Sequence, residues 1–189
     1  MLGDAIINFF ADFGIIGELF SLFIIYFIDS TLFPTLPEFF LLVIYSTNPC
    51  LGWGIVLILV SLASTFVGNS IIYGIAKKYE IPFIKKIMEK YSNILISKNE
   101  KMLLINRIAP VLPYAGAFIA VNKWDYRKSM FYIIIGGAIK FSILIALSAT
   151  FYSLFERGLA QKATFYLIIA TIILGFILSY FRKINHKGE

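Results

Sequence analysis

Apolar positions in this chain fall in long unbroken blocks, not in the alternation of half-buried strands or the one-sided stripe of a soluble helix. No charged residue occurs between Phe39 and Ala76. Asn48-Pro49-Cys50-Leu51-Gly52 interrupts that run, and residues 52–76 remain long enough to cross a bilayer, which takes about 20 residues. Residues 129–155 are apolar apart from Lys140, and residues 163–181 carry no charge. These three blocks predict spanning helices. Residues 1–28 contain Asp4, Asp12 and Glu18 but no Lys or Arg. A secretory signal begins with basic residues, so this stretch reads as a retained amphipathic or spanning helix.

Two further apolar stretches suit a full crossing poorly. Phe39–Thr47 is too short to cross alone, and Met102–Asn122 holds Arg107 and two prolines. Proline lacks the backbone N–H and breaks a helix. Short apolar arms around a proline pair suit re-entrant hairpins, expected here over 29–51 and 102–122. Between them, residues 77–101 are basic, with a net charge of +4. Ile81, Ile84, Ile87 and Met88 recur at helical spacing, which predicts an interfacial amphipathic helix, with a solvated basic loop as the alternative. Lys and Arg excess marks cytoplasmic loops. That rule places 77–101, the 123–128 link and the basic tail inside, provided that 102–122 re-enters instead of spanning. A multi-pass plasma-membrane protein is the resulting expectation.

The two proline pairs form a repeat. Pro34-Thr35-Leu36-Pro37 recurs 76 positions later as Pro110-Val111-Leu112-Pro113. A charge precedes each pair (Asp29, Arg107) and a tryptophan follows each (Trp53, Trp124). Each tryptophan leads into a span with small residues: Ser64, Gly68 and Gly74 in one, Gly136 and Gly137 in the other. The charge-derived topology gives the hairpins opposite orientations. The expected fold is therefore an all-α integral membrane protein. It is an inverted repeat of two re-entrant hairpins, each followed by a spanning helix, with additional N- and C-terminal helices. Many secondary transporters share this plan, with the site near the midplane.

Composition narrows the chemistry. Of 189 residues, 59% are hydrophobic and 15% charged, against about 25% charged in soluble domains. The net charge of +6 sits mostly in the inside loops and the tail, so it orients the protein and gives no reason to expect nucleic acid. Cys50 is the single cysteine and His186 the single histidine. An intrachain disulfide is impossible, and no metal site or cofactor is expected. No Ser/His/Asp set is visible, so an enzyme is the least supported class.

The informative charges are Asp29, Glu38, Arg107 and Lys140, in or beside apolar segments. A charge at bilayer depth costs about 2.5–3.5 kcal/mol on insertion scales, and such residues usually pair or line a pathway. Arg107 suits two-pronged contact with a phosphate or carboxylate. Glu38 and Asp29 suit pairing with Arg107 or Lys140, or carrying a coupling ion such as H+ or Na+. The plain alternative is that these ions only tie the hairpins together. Asn69 and Tyr73, one turn apart, either offer hydrogen bonds to a cavity or pack helices. Pro34, Pro37, Pro110 and Pro113 would form the hairpin tips, unless they merely end helices at loops.

The segment Phe27-Ile-Asp-Ser-Thr-Leu-Phe-Pro-Thr-Leu-Pro-Glu38, then Gly68-Asn69 with Tyr73-Gly74, then Arg107-Ile-Ala-Pro110 followed by Gly116 resembles the DedA family. That family is also called the VTT or SNARE-associated Golgi protein family, and its short prokaryotic branch is the nearest in pattern. The resemblance covers residues 25–147. It implies two oppositely oriented re-entrant hairpins, acids in the first matching Asp29 and Glu38, and an arginine before a proline in the second matching Arg107 and Pro110. It also implies movement of polyprenyl-phosphate carriers or phospholipids between leaflets, with proton coupling proposed for some members. Many members carry a second arginine where this chain has Pro113, and Lys140 is the candidate replacement. The expected function is therefore a transporter or flippase for a lipid with an anionic head group, with homo-oligomerisation left open. A small-solute or cation exporter of the same fold, or a membrane-organising protein without transport, are the rival readings.

Overall fold

The computed structural model of the chain describes residues 14–31, 36–79, 99–108, 114–154, 166, 169, 170 and 173. Every regular element among them is a helix: α1 (Gly14–Thr31), α2 (Pro37–Tyr45), α3 (Leu51–Lys78), α4 (Met102–Ile108), α5 (Ala115–Val121) and α6 (Tyr126–Leu154). Three stretches are long and apolar enough to cross a membrane: α1, α3 and Tyr126–Thr150 of α6. Pro34, Pro110, Pro113, most of the basic segment and nearly all of the expected 163–181 span lie outside the described residues.

Two boundaries differ from expectation. The first helix continues through Thr31 and so carries Asp29 within it, whereas 29–51 was expected to form a separate hairpin. Nothing in Ile28–Thr31 breaks a helix, and the Thr31 hydroxyl donates to the Phe27 carbonyl at 2.6 Å. The first arm is thus an 18-residue helix. At the other end, α6 starts at Tyr126, inside the expected polar link. Asp125 caps it, its Oδ1 accepting from the Lys128 N–H at 2.8 Å, so an orphan donor of the first turn is satisfied.

Helices α3 and α6 run antiparallel. A Cβ on Gly54 would press on Ile145 and one on Gly137 would meet Leu62, while the Ser70 and Tyr126 hydroxyls bond at 2.8 Å. Helix α1 runs in the direction of α3: the Ser64 hydroxyl donates to the Phe23 carbonyl at 2.5 Å, and further on Ser30 and Thr31 abut Gly68. Helix α2 returns, its Tyr45 lying against Gly54 and its Ile44 carbonyl accepting from Trp53 Nε1 at 3.2 Å. Helix α4 lies on α6, with Leu104 and Arg107 over Gly136, and α5 lies on α3, with Gly116 against the Asn69 backbone. From Asn69, α5 follows α3 outward, so that Phe118 and Ala117 pack with Ile72 and Ala76. The α1–α2 pair therefore approaches the middle of the bundle from the end where α3 begins. The α4–α5 pair approaches from the end where α3 closes.

The core is partly turned inside out. The inward face of α3 carries Ser61, Ser64, Thr65, Gly68 and Asn69. Exposed Ile55, Leu59, Phe66, Val67 and Ile71 cover its other side, and Phe131, Ile135, Ile139, Ile143 and Leu147 form an outward stripe on α6. A soluble domain does not expose contiguous apolar faces of this extent, whereas a hydrocarbon environment accommodates them.

Candidate functional site

Lys140 lies fourteen residues from either end of α6, about 21 Å along the axis at 1.5 Å per residue. At that depth a lysine cannot reach a bilayer surface and needs a partner inside. Its Nζ donates to Glu38 Oε1 at 2.6 Å, with 18% and 22% of the Lys140 and Glu38 side chains exposed. Glu38 occupies the first turn of α2, directly after Pro37. Proline suits that position because its missing N–H would have no helical partner there, and a carboxylate in a first turn is favoured by the helix dipole. Local sequence therefore presents Glu38 at the inner end of α2, and the packing of α2 against α6 supplies the lysine.

Arg107 arrives from the opposite end of the bundle. It sits near the close of α4, half-buried, and a Cβ on Gly136 would stand 3.0 Å from its Cγ. Gly136 and Lys140 are one helical turn apart on α6, so they present neighbouring points on one face. A side chain at 136 would crowd the stem of Arg107. The charges of Asp29 and Glu38 both act on Arg107. Glu38, Lys140 and Arg107 thus meet half-way along α6, drawn from α2, α6 and α4, and Asp29 of α1 acts on the same arginine.

Tyr26 lies among them, and sequence reasoning missed it. Its side chain is 2% exposed and packs edge-on to Phe141 at 5.2 Å between ring centroids. The charges of Glu38, Asp29 and Arg107 all act on its phenol. The available signal was position: Tyr26 precedes Asp29 by one helical turn.

Asn69 and Tyr73 both make contacts between helices. The Asn69 Oδ1 accepts from the Gly116 N–H at 3.0 Å, and its Nδ2 donates to the Thr65 carbonyl at 2.8 Å. The amide thereby bonds α3 to the start of α5, where Gly116 brings the two backbones into direct contact. The Tyr73 ring meets that of Tyr126 at a tilt of 38° and 4.7 Å between centroids, with Lys77 Nζ 5.6 Å from the Tyr73 centroid. It belongs to the end of α3, away from the charges. Close to Gly116, Tyr114 holds a left-handed backbone (φ 55, ψ 54), which costs a non-glycine residue about 1–2 kcal/mol.

Chemically, the cluster offers two cations and two carboxylates at the centre of an apolar bundle. Lys140 and Glu38 form a direct pair, and Arg107 feels both acids. Such a set can hold an anionic group on its cations if a carboxylate is neutralised or displaced. Among the described residues no group of His, Cys, Asp and Glu is arranged to hold a metal ion. The chain matches no protein-family model, no curated protein and no solved structure.

Proposed function

We propose that this protein is a membrane transporter that moves a lipid with an anionic head group, a polyprenyl phosphate or a phospholipid, between leaflets. In this reading α1–α2 and α4–α5 are oppositely oriented re-entrant hairpins of the DedA kind, in the plasma membrane with the basic segment inside. The observation that supports it is the meeting of Glu38, Arg107 and Lys140 half-way along α6, with Asp29 acting on the same arginine. Charges at that depth would oppose insertion at about 2.5–3.5 kcal/mol each, if unpaired, on insertion scales. A bundle that needed only stability would be served as well by apolar residues there. The approach of the two helix pairs from opposite ends is what an inverted repeat requires.

Arg107 binds the phosphate with its planar fork. Lys140 exchanges Glu38 for the head group when Glu38 takes up a proton or is displaced, and Asp29 balances Arg107 in the empty state. Movement of the hairpins then exposes the cluster to one leaflet and the other in turn.

The test is transbilayer movement of a phosphate-bearing lipid in vesicles containing purified protein. Arg107→Glu and Glu38→Lys are each expected to lower the rate at least tenfold while the protein stays folded. Normal rates in both folded variants would refute the mechanism. The acids also favour the rival reading as a cation exporter, which predicts thermal stabilisation by amphipathic cations and none by lipid phosphates. A membrane-organising protein without transport predicts no flux and tolerance of Glu38→Gln.

A further inference from the structure

Hydroxyls inside a helix ordinarily bond back to the carbonyl one turn earlier, and several here do. Ser21 bonds to the Gly17 carbonyl at 2.8 Å, Thr31 to Phe27 at 2.6 Å, Ser70 to Phe66 at 2.6 Å and Thr150 to Ala146 at 2.9 Å. Ser61 and Thr65 depart from the habit. Both are fully buried on the inward face of α3, yet Ser61 Oγ and Thr65 Oγ1 have no protein hydrogen-bond partner among the described residues. Tyr26 Oη likewise has no partner at full hydrogen-bond geometry among the described residues, although Ser61 lies close enough to act on its phenol as a hydrogen-bonding neighbour.

An orphaned buried hydroxyl costs about 1–3 kcal/mol, and natural interiors rarely leave one unpaired. Ser61 and Thr65 are one turn apart on α3 and Tyr26 projects from α1, so three orphans share the α1–α3 interface. Each hydroxyl has one donor and two acceptor positions. The nearby charges, Asp29, Glu38, Arg107 and Lys140, are two acids and two cations, so the cluster as a whole carries no net charge that calls for a counter-ion. A buried water needs about two to four polar partners, and a neutral ligand that both donates and accepts matches this set.

We infer that Tyr26, Ser61 and Thr65 form a binding site for ordered water at the centre of the bundle. The site hydrates the Glu38–Lys140 pair and gives protons a hydrogen-bonded route to and from Glu38. It deepens the reading of the same charged cluster but needs only the helix packing to stand.

X-ray hydroxyl-radical footprinting of the full chain in lipid nanodiscs tests it, because radicals made from bound water oxidise the side chains that touch it. Tyr45, 0% exposed beside Trp53 and Leu57, serves as the buried internal control. Tyr26 is expected to oxidise at least fivefold faster than Tyr45, and to fall to the Tyr45 rate in the Ser61→Ala/Thr65→Val double variant. Equal rates for the two tyrosines in the unmodified chain would overturn the inference, whatever the variant does. A double variant that unfolds at a higher temperature than the parent would also overturn it, since removing dry orphans stabilises whereas removing water ligands does not. The footprint is read without substrate, so a dry Tyr26 removes the water site and leaves lipid movement to its own assay.

Discussion

Replacing Lys140 by methionine removes one partner of an ion pair that no other interaction of Lys140 among the described residues duplicates. At 2.6 Å the gross attraction is about 6 kcal/mol at an effective dielectric of about 20. Most of that offsets the several kcal/mol per ion lost on leaving water. The net value of the pair is therefore small, whereas breaking it is costly because a buried charge is left behind. Removing one partner of a fully buried pair costs about 3–5 kcal/mol. Here about a fifth of each side chain remains exposed and Arg107 still faces Glu38, so about 2–3 kcal/mol is expected for Lys140→Met. Glu38→Met should cost as much, and the Met/Met double variant no more than about 1 kcal/mol. The pair then couples by about 3 kcal/mol or more, well above the few tenths seen between independent sites. Equilibrium unfolding in mixed micelles, followed by tryptophan fluorescence, measures all three variants. If the double variant loses the sum of the single losses, the contact between α2 and α6 does not exist as described.

Gly116→Ala should destabilise by about 1–3 kcal/mol, the usual range for overpacking, because its Cβ would meet the Asn69 backbone, while Gly74, with nothing within 4 Å, should accept alanine without loss in the same unfolding assay. Asn69→Ala should cost about 1–3 kcal/mol by orphaning the Gly116 N–H and leave lipid movement per folded molecule unchanged; a selective loss of transport would return Asn69 to the substrate path. Ile139→Lys places a charge on the outward stripe of α6 and should lower the inserted fraction by an amount equivalent to about 2.5–3.5 kcal/mol, and unchanged insertion would show that this face does not meet lipid. Cys50, exposed at the turn before α3, should react with a membrane-impermeant maleimide in intact cells, and labelling only after permeabilisation would reverse the orientation drawn from the basic segment.

Much of the charged cluster was legible because charges in apolar blocks are conspicuous. Asp29, Glu38, Arg107 and Lys140 stand out for the cost of placing them in hydrocarbon, and that cost implies that they meet. Which charge meets which was not legible: Glu38 and Lys140 are 102 positions apart, and no local pattern relates them. Tyr26 stayed hidden because a tyrosine in an apolar helix resembles any other aromatic. Ser61 and Thr65 left a fainter trace. Their spacing of four, with Gly68 and Asn69 continuing the same face, marks the inward side of α3 in a run that is otherwise apolar all round.

The sequence alone determined the two long apolar helices α3 and α6 and their fitness to cross a membrane, and left residues 1–28 open between an amphipathic and a spanning helix. Both determinations follow from summed hydropathy, a property of each segment by itself. It also determined where α2 starts and how α3 ends, since Pro37, Lys77 and Lys78 act within a turn of their own positions. The tertiary structure decided the rest. It carried Asp29 into the end of a long helix, gave Lys140 to Glu38, set Arg107 over Gly136, and committed Asn69 to the backbone of α5. In water, an apolar stripe tells a helix which face to bury. In a bilayer both faces can be apolar, so orientation is set by close contacts at small residues and by the few polar groups that must find partners, and these appear only when the helices are packed together.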